Sequence, residues 1–296
     1  TMLDLQSKPW RDVYYRSSDD LRLYARHYPA PDERYRSVIC LAGLTRNARD
    51  FHALATYLST HSETPRNVYC LDYRGRGQSA FDPNWRNYMP YVELDDVLDF
   101  LTIQGLHQVG IVGTSRGGII AMLMAAARPT AMGPVVLNDI GPVIETRGLA
   151  RIVNYVRRMP TPKTWADAMQ IMRDINSRGF PDFTDAQWDQ MARSVFEERK
   201  GRLALSYDRK LAKAIGTIDL SRPFPPMWPE FIALSKMPTF VIRGENSDVL
   251  SAETLNEMVE RHPNLRSMTV ANQGHAPTLA ERDQIEAIAS FFAVND

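Results

Sequence analysis

Short runs of strand-forming residues alternate with helical patterns along most of this chain. The eight runs are DVYYRS, RLYARHY, SVICLAG, NVYCLDY, QVGIVG, GPVVLND, PTFVIRG and RSMTVAN. Such alternation is typical of an α/β fold with a mainly parallel sheet. Ser18, Asp19 and Asp20 lie between the first two runs, which indicates an antiparallel hairpin at one edge. We therefore predict a mostly parallel, eight-stranded sheet with flanking helices.

The alternation stops after Asp139, and helical periodicity dominates from Val143 to about Ser235. Apolar residues there recur three or four positions apart, as in Leu149, Ile152 and Val156. Strand signals return with PTFVIRG. The chain is therefore predicted to consist of a core in two parts, residues 1–142 and 236–296, with a helical insertion at 143–235 between them.

Charge and hydropathy exclude several classes of protein. The 35 basic residues balance the 35 acidic ones, so nothing draws the whole molecule to nucleic acid or to an anionic membrane. The longest apolar run, GGIIAMLMAAA, is too short to cross a bilayer, and the first residues lack the pattern of a secretory signal. We expect a cytoplasmic protein with a small-molecule substrate and neither a nucleic acid nor a membrane as partner. Whether it is a monomer or a homo-oligomer is left open.

The run VGIVGTSRGGIIAM places Ser115 at a sharp turn between a strand and a helix. A serine hydroxyl becomes a useful nucleophile when it is held away from its backbone, beside a base and beside donors for the oxyanion it creates. The turn needs space two residues before and after the serine, which Gly113 and Gly117 supply. The pattern G-x-S-x-G gains meaning from this strand-turn-helix context. Ser115 is the predicted nucleophile.

A serine nucleophile needs an imidazole at the same edge of the sheet to take its proton. Of the six histidines, only His275 comes just after a predicted strand in a loop flanked by glycine. The orienting carboxylate should also follow a strand, and Asp139, Glu245 and Asp248 all satisfy this.

Taken together, these stretches resemble the α/β-hydrolase family over nearly the whole chain. CLAGLTRNARDF is similar to the family's oxyanion loop, LDYRGRGQS to its D-x-R-G-x-G-x-S turn, RGENSD to its acid-bearing turn and NQGHAP to its histidine loop. The order serine, acid, histidine is also the family's. The resemblance implies that the helical insertion is a cap and that Asp248 is the acid of a Ser115–His275–Asp248 triad. Asp139 remains the alternative.

The resemblance also implies an oxyanion hole made of the backbone amides of Leu44 and Arg116. The family's usual histidine before the glycine of this loop is replaced by Ala42. Arg46 is a candidate to bind a substrate carboxylate; the alternative, which we favour, is a salt bridge to the cap or a solvated side chain. Apolar side chains predicted to line a substrate pocket are Trp85, Tyr207, Met227, Trp228 and Phe231.

No other chemistry has comparable support. A third glycine for a dinucleotide fold, a P-loop and metal-ligand spacing are all missing from the sequence, so neither a cofactor nor a metal is expected. We predict a serine hydrolase that cleaves carboxylic esters or lactones of small, largely apolar substrates through an acyl-enzyme. The alternatives are a C–C bond hydrolase of the ring-cleavage type and a slow-turnover ligand receptor on the same fold. The sequence does not identify the physiological substrate.

Overall fold

The computed structural model describes residues 8–296, so the first seven residues of the predicted core segment 1–142 lie outside it. Its main sheet has eight strands in the spatial order β1-β2-β4-β3-β5-β6-β9-β10. They are β1 (Arg11–Arg16), β2 (Arg22–Tyr28), β3 (Val38–Leu41), β4 (Val68–Asp72), β5 (Val109–Thr114), β6 (Met132–Asn138), β9 (Thr239–Gly244) and β10 (Leu265–Val270). β2 pairs antiparallel with β1 and β4, and the remaining neighbours are parallel. The predicted sheet and its edge hairpin are confirmed.

Helices cover both faces of this sheet. They are α1 (His52–Thr56), α2 (Pro90–Gln104), α3 (Arg116–Ala127), α9 (Ala252–Arg261) and α10 (Arg282–Val294). Successive strand residues point to opposite faces. In β3, Ile39 and Leu41 pack in one apolar cluster with α2 and α3, while Val38 and Cys40 pack in a second cluster with α1 and α10. Burial on both faces explains why the central strands are continuously apolar.

The chain between β6 and β9 contains five helices and a two-stranded hairpin. These elements are α4 (Thr146–Arg158), α5 (Trp165–Asn176), α6 (Asp185–Val195), β7 (Phe196–Arg199), β8 (Arg202–Leu205), α7 (Leu211–Ile215) and α8 (Trp228–Ala233). The expectation of almost exclusively helical structure is wrong at the hairpin. Its two turn residues, Lys200 and Gly201, have φ of 51° and 74°, as two-residue hairpin turns require. The hairpin was missed because the apolar residues of α6 recur at helical spacing as far as Phe196, although the backbone of Phe196 is extended.

This segment, called the insertion below, packs in two ways. Apolar residues of α4, including Ile152 and Val156, join the main core. α5 and α6 instead form a separate apolar cluster with the hairpin, and both helices begin with a capping box. Among the helices of residues 8–296, none is long and apolar enough to cross a membrane.

Candidate active site

Ser115 occupies a strained turn between β5 and α3. Its φ is 51° and its ψ is −110°, a backbone conformation that residues other than glycine rarely adopt. A Cβ at Gly113 would lie 2.6 Å from the carbonyl carbon of Gly117, and a Cβ at Gly117 would lie 2.1 Å from the carbonyl oxygen of Leu41. Glycine is therefore required on both sides of Ser115, because only then can α3 pack this tightly on the sheet.

His275 lies in the loop after β10 and reaches Ser115. Its Nε2 is 2.8 Å from Ser115 Oγ, and its Nδ1 is 2.7 Å from Asp139 Oδ2. The side chain is mostly buried between these two partners. With Nδ1–H donating to the carboxylate, Nε2 is free to accept the hydroxyl proton. The three side chains form one hydrogen-bonded chain across the carboxyl ends of the parallel strands.

Asp139, directly after β6, is the carboxylate that contacts His275. Its Oδ1 accepts the backbone N–H of Gly244 at 2.8 Å, and its Oδ2 accepts the Ser247 hydroxyl at 2.6 Å. The side chain is fully buried. One donor is the last residue of β9 and the other lies in the turn after it, so this region holds the carboxylate in place but does not supply it.

The sequence-based preference for Asp248 is therefore wrong, because Asp139 and not Asp248 forms the hydrogen bond with His275. Asp248 accepts two hydrogen bonds from Arg151 of α4, at 2.6 and 3.1 Å. Burial by itself would raise the pKa of Asp248, but the hydrogen bonds and charge of Arg151 outweigh it and hold the pKa below its ordinary value. Arg151 lies in the insertion, so no local motif around Asp248 could have revealed this partner.

The amides of Leu44 and Arg116 lie on either side of Ser115. Arg116 is the first residue of α3, and Leu44 follows Gly43, whose added Cβ would lie 4.0 Å from Ser115 Cβ. Within residues 8–296, neither amide donates a hydrogen bond to another backbone carbonyl outside the regular elements. The Arg116 side chain turns away from the serine and donates to Glu93 at 2.6 Å. The role of these two amides as oxyanion donors stays a prediction.

A cavity of about 140 Å³ opens onto Ser115 and His275. The core contributes the loop that contains Leu44, Thr45 and Arg46 to its wall. The opposite wall comes from the insertion and carries both apolar and polar side chains. The apolar ones include Ile152, Tyr155, Met159, Met172, Phe180 and Met191, and the polar ones are Asn176, Gln187, Gln190 and Ser194. A cavity of roughly this size can hold a benzene-sized group.

The predicted substrate-binding residues have different outcomes. Arg46 lines the cavity, and its guanidinium pairs with both carboxylate oxygens of Asp50 at 2.9 and 3.0 Å. Asp50 therefore neutralises the charge of Arg46, so Arg46 does form a salt bridge, but its partner lies in the core and not in the cap as expected.

Tyr207 and Trp228 were wrongly predicted to line the pocket. Tyr207 is buried and forms an isolated β-bridge with Arg76. Trp228 packs edge-on against Phe231, and the guanidinium of Arg261 lies 4.1 Å from its ring centroid. Neither residue contributes to the cavity wall, nor do Trp85, Met227 and Phe231. The apolar periodicity of the insertion did not indicate which of its faces surrounds the cavity.

A mostly parallel sheet with a strained serine after one central strand and a histidine after its last strand defines a protein of the α/β-hydrolase class. The model of the alpha/beta hydrolase family matches residues 38–288, and the chain belongs to this family. Residues 8–296 contain no group of three or more His, Cys, Asp or Glu side chains that could hold a metal ion.

Proteins similar to this chain are mostly hydrolases. A 3-hydroxybutyrate-oligomer hydrolase of Cupriavidus necator is 30% identical over 272 residues, which cover 87% of this chain and 88% of that protein. An esterase of Mycobacterium tuberculosis is 26% identical and covers 74% of this chain and 70% of its own length. The crystal structure of an α/β hydrolase from Novosphingobium aromaticivorans is 38% identical, with a TM-score of 0.90 over 97% of this chain and 99% of its own.

Proposed function

We propose that this protein is a serine hydrolase that cleaves carboxylic esters with a short acyl group. The observation that carries the proposal is the hydrogen-bonded chain from Ser115 through His275 to Asp139, with distances of 2.8 and 2.7 Å. Ser115 is the nucleophile, His275 is the general base and then the general acid, and Asp139 holds the imidazole in the required tautomer.

The proposed reaction has two halves. His275 takes the Ser115 proton as Oγ attacks the ester carbonyl, and the Leu44 and Arg116 amides stabilise the tetrahedral oxyanion. His275 returns the proton to the leaving alcohol, which leaves an acyl group on Ser115. Water then attacks this acyl-enzyme with His275 again as base, and the acid is released with the serine restored.

The cavity and one relative support a substrate class. A space of about 140 Å³ suits an acyl group of a few carbons. The units of a 3-hydroxybutyrate oligomer, after which the Cupriavidus necator relative is named, are four-carbon acids joined by esters. We propose esters of short acids, including hydroxy acids, as substrates, and the insertion, predicted as residues 143–235, as the cap that encloses the acyl group.

A substrate panel tests this proposal against its alternatives. Purified protein and its Ser115→Ala variant are compared on p-nitrophenyl acetate, butyrate and octanoate, a linear 3-hydroxybutyrate dimer, a lactone and a vinylogous diketone. We expect the highest kcat/KM on short-acyl esters, lost in the variant. Preference for the diketone would indicate a C–C hydrolase instead. Turnover no faster than that of Ser115→Ala, together with a ligand-induced rise in Tm, would indicate a receptor.

A further inference from the structure

Both residues of the proposed oxyanion hole are linked by hydrogen bonds to one buried carboxylate, Arg116 directly and Leu44 through Arg76. Glu93 lies in α2 and is fully buried. Its Oε1 accepts from Arg116 Nε at 2.6 Å, and its Oε2 accepts from Arg76 Nη1 at 2.7 Å. Arg76 is also fully buried, and its Nε donates to the carbonyl oxygen of Leu44 at 2.8 Å. The chain Leu44–Arg76–Glu93–Arg116 therefore joins the two sides of the site.

These contacts fix the two peptide planes on which the Leu44 amide depends. The plane between Gly43 and Leu44 contains the proposed donor, and its carbonyl accepts the Arg46 N–H at 3.1 Å. The carbonyl of the next plane, on Leu44 itself, is held by Arg76. Because both planes are anchored, Leu44 cannot rotate its amide away from Ser115 unless one of these hydrogen bonds breaks.

The carboxylate of Glu93 also fixes the side chain of Arg116. Besides Glu93, its guanidinium donates to the carbonyl oxygen of Tyr88 at 3.3 Å. This keeps a long cationic side chain out of the cavity and fixes the first turn of α3, from which the second proposed donor projects. One carboxylate thus sets the separation between the two donors.

The charges favour a rigid arrangement. Burial alone would raise the pKa of Glu93, but the charges and hydrogen bonds of Arg116 and Arg76 outweigh it and keep the pKa below its ordinary value. The Arg76 guanidinium also lies 5.2 and 5.6 Å from the rings of Tyr73 and Tyr88. A buried carboxylate between two arginines resists displacement, because moving it would leave buried charges without partners.

We propose that Glu93 is a positioning residue that sets the geometry of the oxyanion hole through Arg76 and Arg116. The inference rests on the proposed esterase function. It also explains how the loop tolerates Ala42 where a histidine is usual in the family: Arg76 holds the loop through the Leu44 carbonyl, and the Tyr73 hydroxyl donates to the Ala42 carbonyl at 2.8 Å.

The test compares Glu93→Gln with Asp96→Asn. Asp96 is a buried carboxylate one turn further along α2, and it pairs with the guanidinium of Arg74, which also donates to Asp19 and Asp82. Among the hydrogen bonds of the described residues, Arg74 meets the chain Leu44–Arg76–Glu93–Arg116 through its backbone carbonyl alone, which accepts from Arg76 Nη1 at 2.8 Å. Loss of a whole oxyanion donor typically costs about 10²- to 10³-fold in kcat. Glu93→Gln should displace the two donors without removing either, so we expect a smaller effect. On p-nitrophenyl butyrate, kcat should fall by about 10- to 100-fold and KM should stay within about twofold of the wild-type value. Asp96→Asn should lower Tm comparably and leave kcat within about threefold.

Two further readouts separate positioning from general destabilisation. Affinity for an alkyl trifluoromethyl ketone, which forms a tetrahedral adduct on the serine, should fall in Glu93→Gln by the same factor as kcat. Arg76→Lys keeps a cation beside Glu93 but removes the donor to the Leu44 carbonyl, so it should show the same loss even if Glu93→Gln fails to fold.

Wild-type protein without esterase activity would contradict the proposed function and this inference with it. Active wild-type enzyme whose Arg76→Lys and Glu93→Gln variants lose Tm but retain kcat and inhibitor affinity would overturn the inference alone. An equal loss of kcat in Asp96→Asn would also overturn it, because the effect would then reflect the packing of α2.

Discussion

Two carboxylates follow neighbouring strands of the sheet, Asp139 after β6 and Asp248 after β9. Asp139 contacts His275, whereas Asp248 is bound by Arg151. The end of β9 and the turn after it still contribute, since the N–H of Gly244 and the hydroxyl of Ser247 hold Asp139 in place. The carboxylate that contacts His275 therefore follows β6, one strand away from the position after β9 that the sequence resemblance implied.

Amide substitution of each carboxylate tests this assignment. Asp139→Asn should lower kcat by about 10⁴-fold, because an asparagine no longer enforces the imidazole tautomer that accepts the serine proton. Asp248→Asn should leave kcat within a few-fold. Steady-state kinetics on p-nitrophenyl butyrate provide the measurement, and the opposite ranking of the two variants would restore Asp248 as the triad acid.

Local chemistry explains which site residues could be predicted from the sequence. Ser115 could be predicted from the glycines two positions before and after it, and His275 could be predicted from the loop that follows the last strand. Both assignments depend on residues only a few positions apart. The choice between Asp139 and Asp248 depends on Arg151, which is distant in the sequence, so the residues alone left both open and the family resemblance favoured Asp248. The cavity wall depends on how α4, α5 and α6 pack, and their apolar periodicity predicted helices without predicting which faces surround the site.

Among the elements, the β5–α3 turn depends on a very close approach between the backbones of α3 and β3. A Cβ on Gly117 would lie 2.1 Å from the Leu41 carbonyl oxygen, and backbone cannot yield as a flexible side chain can. Gly117→Ala should therefore lower the free energy of unfolding by about 3 kcal/mol or more. Gly43→Ala is the matched control, because its Cβ would meet its nearest atom at 3.6 Å. Urea denaturation compares them, and equal stability of the two variants would contradict the account.

The insertion contributes the cavity wall through α4, α5 and α6. Met191 of α6 is largely buried and lines the cavity, so Met191→Trp should fill part of its volume. We expect kcat/KM for p-nitrophenyl butyrate to fall about tenfold or more relative to acetate. The control is Trp228→Phe, outside the cavity wall, which should leave the butyrate-to-acetate ratio unchanged. A change of that ratio in Trp228→Phe alone would place the acyl site elsewhere.

The elements themselves were largely predictable. The central strands β3, β4, β5 and β6 are buried along their length and form apolar runs, whereas the largely exposed edge strands β1 and β10 were identified as runs rich in strand-forming residues. The β7–β8 hairpin was missed because the helical spacing of α6 continues into Phe196, and the Lys200–Gly201 turn was the signal that could have revealed it.

At the scale of the whole molecule, a buried carboxylate makes stability depend on pH. Asp72 accepts the backbone N–H groups of Ala48 and Gln78, and burial raises its pKa to about 6. An unfolded aspartate titrates near about 3.9. Between these values the folded state holds a proton that the unfolded state has released. The Asp72 contribution to the free energy of unfolding therefore declines as pH rises from about 4 to about 6, by roughly 3 kcal/mol.

Asp72→Asn removes this titration. The variant also loses one carboxylate oxygen that accepts a backbone N–H, and this lowers its free energy of unfolding by the same amount at every pH. The informative quantity is therefore how the difference in free energy of unfolding between variant and wild type changes with pH. Relative to wild type, the variant should gain up to roughly 3 kcal/mol in free energy of unfolding between pH 4 and pH 7. Urea denaturation at several pH values measures it, with exposed Asp182→Asn as the control. A difference that stays constant, or declines as pH rises, would contradict this prediction.

The proposed chemistry requires Ser115 to be a nucleophile that His275 activates. Labelling with a fluorophosphonate, followed by peptide mapping by mass spectrometry, measures this reactivity at the serine itself. We expect a single adduct on Ser115, formed rapidly in the wild type and far more slowly in His275→Gln. An adduct on another residue, or labelling of Ser115 at the same rate in both proteins, would contradict it.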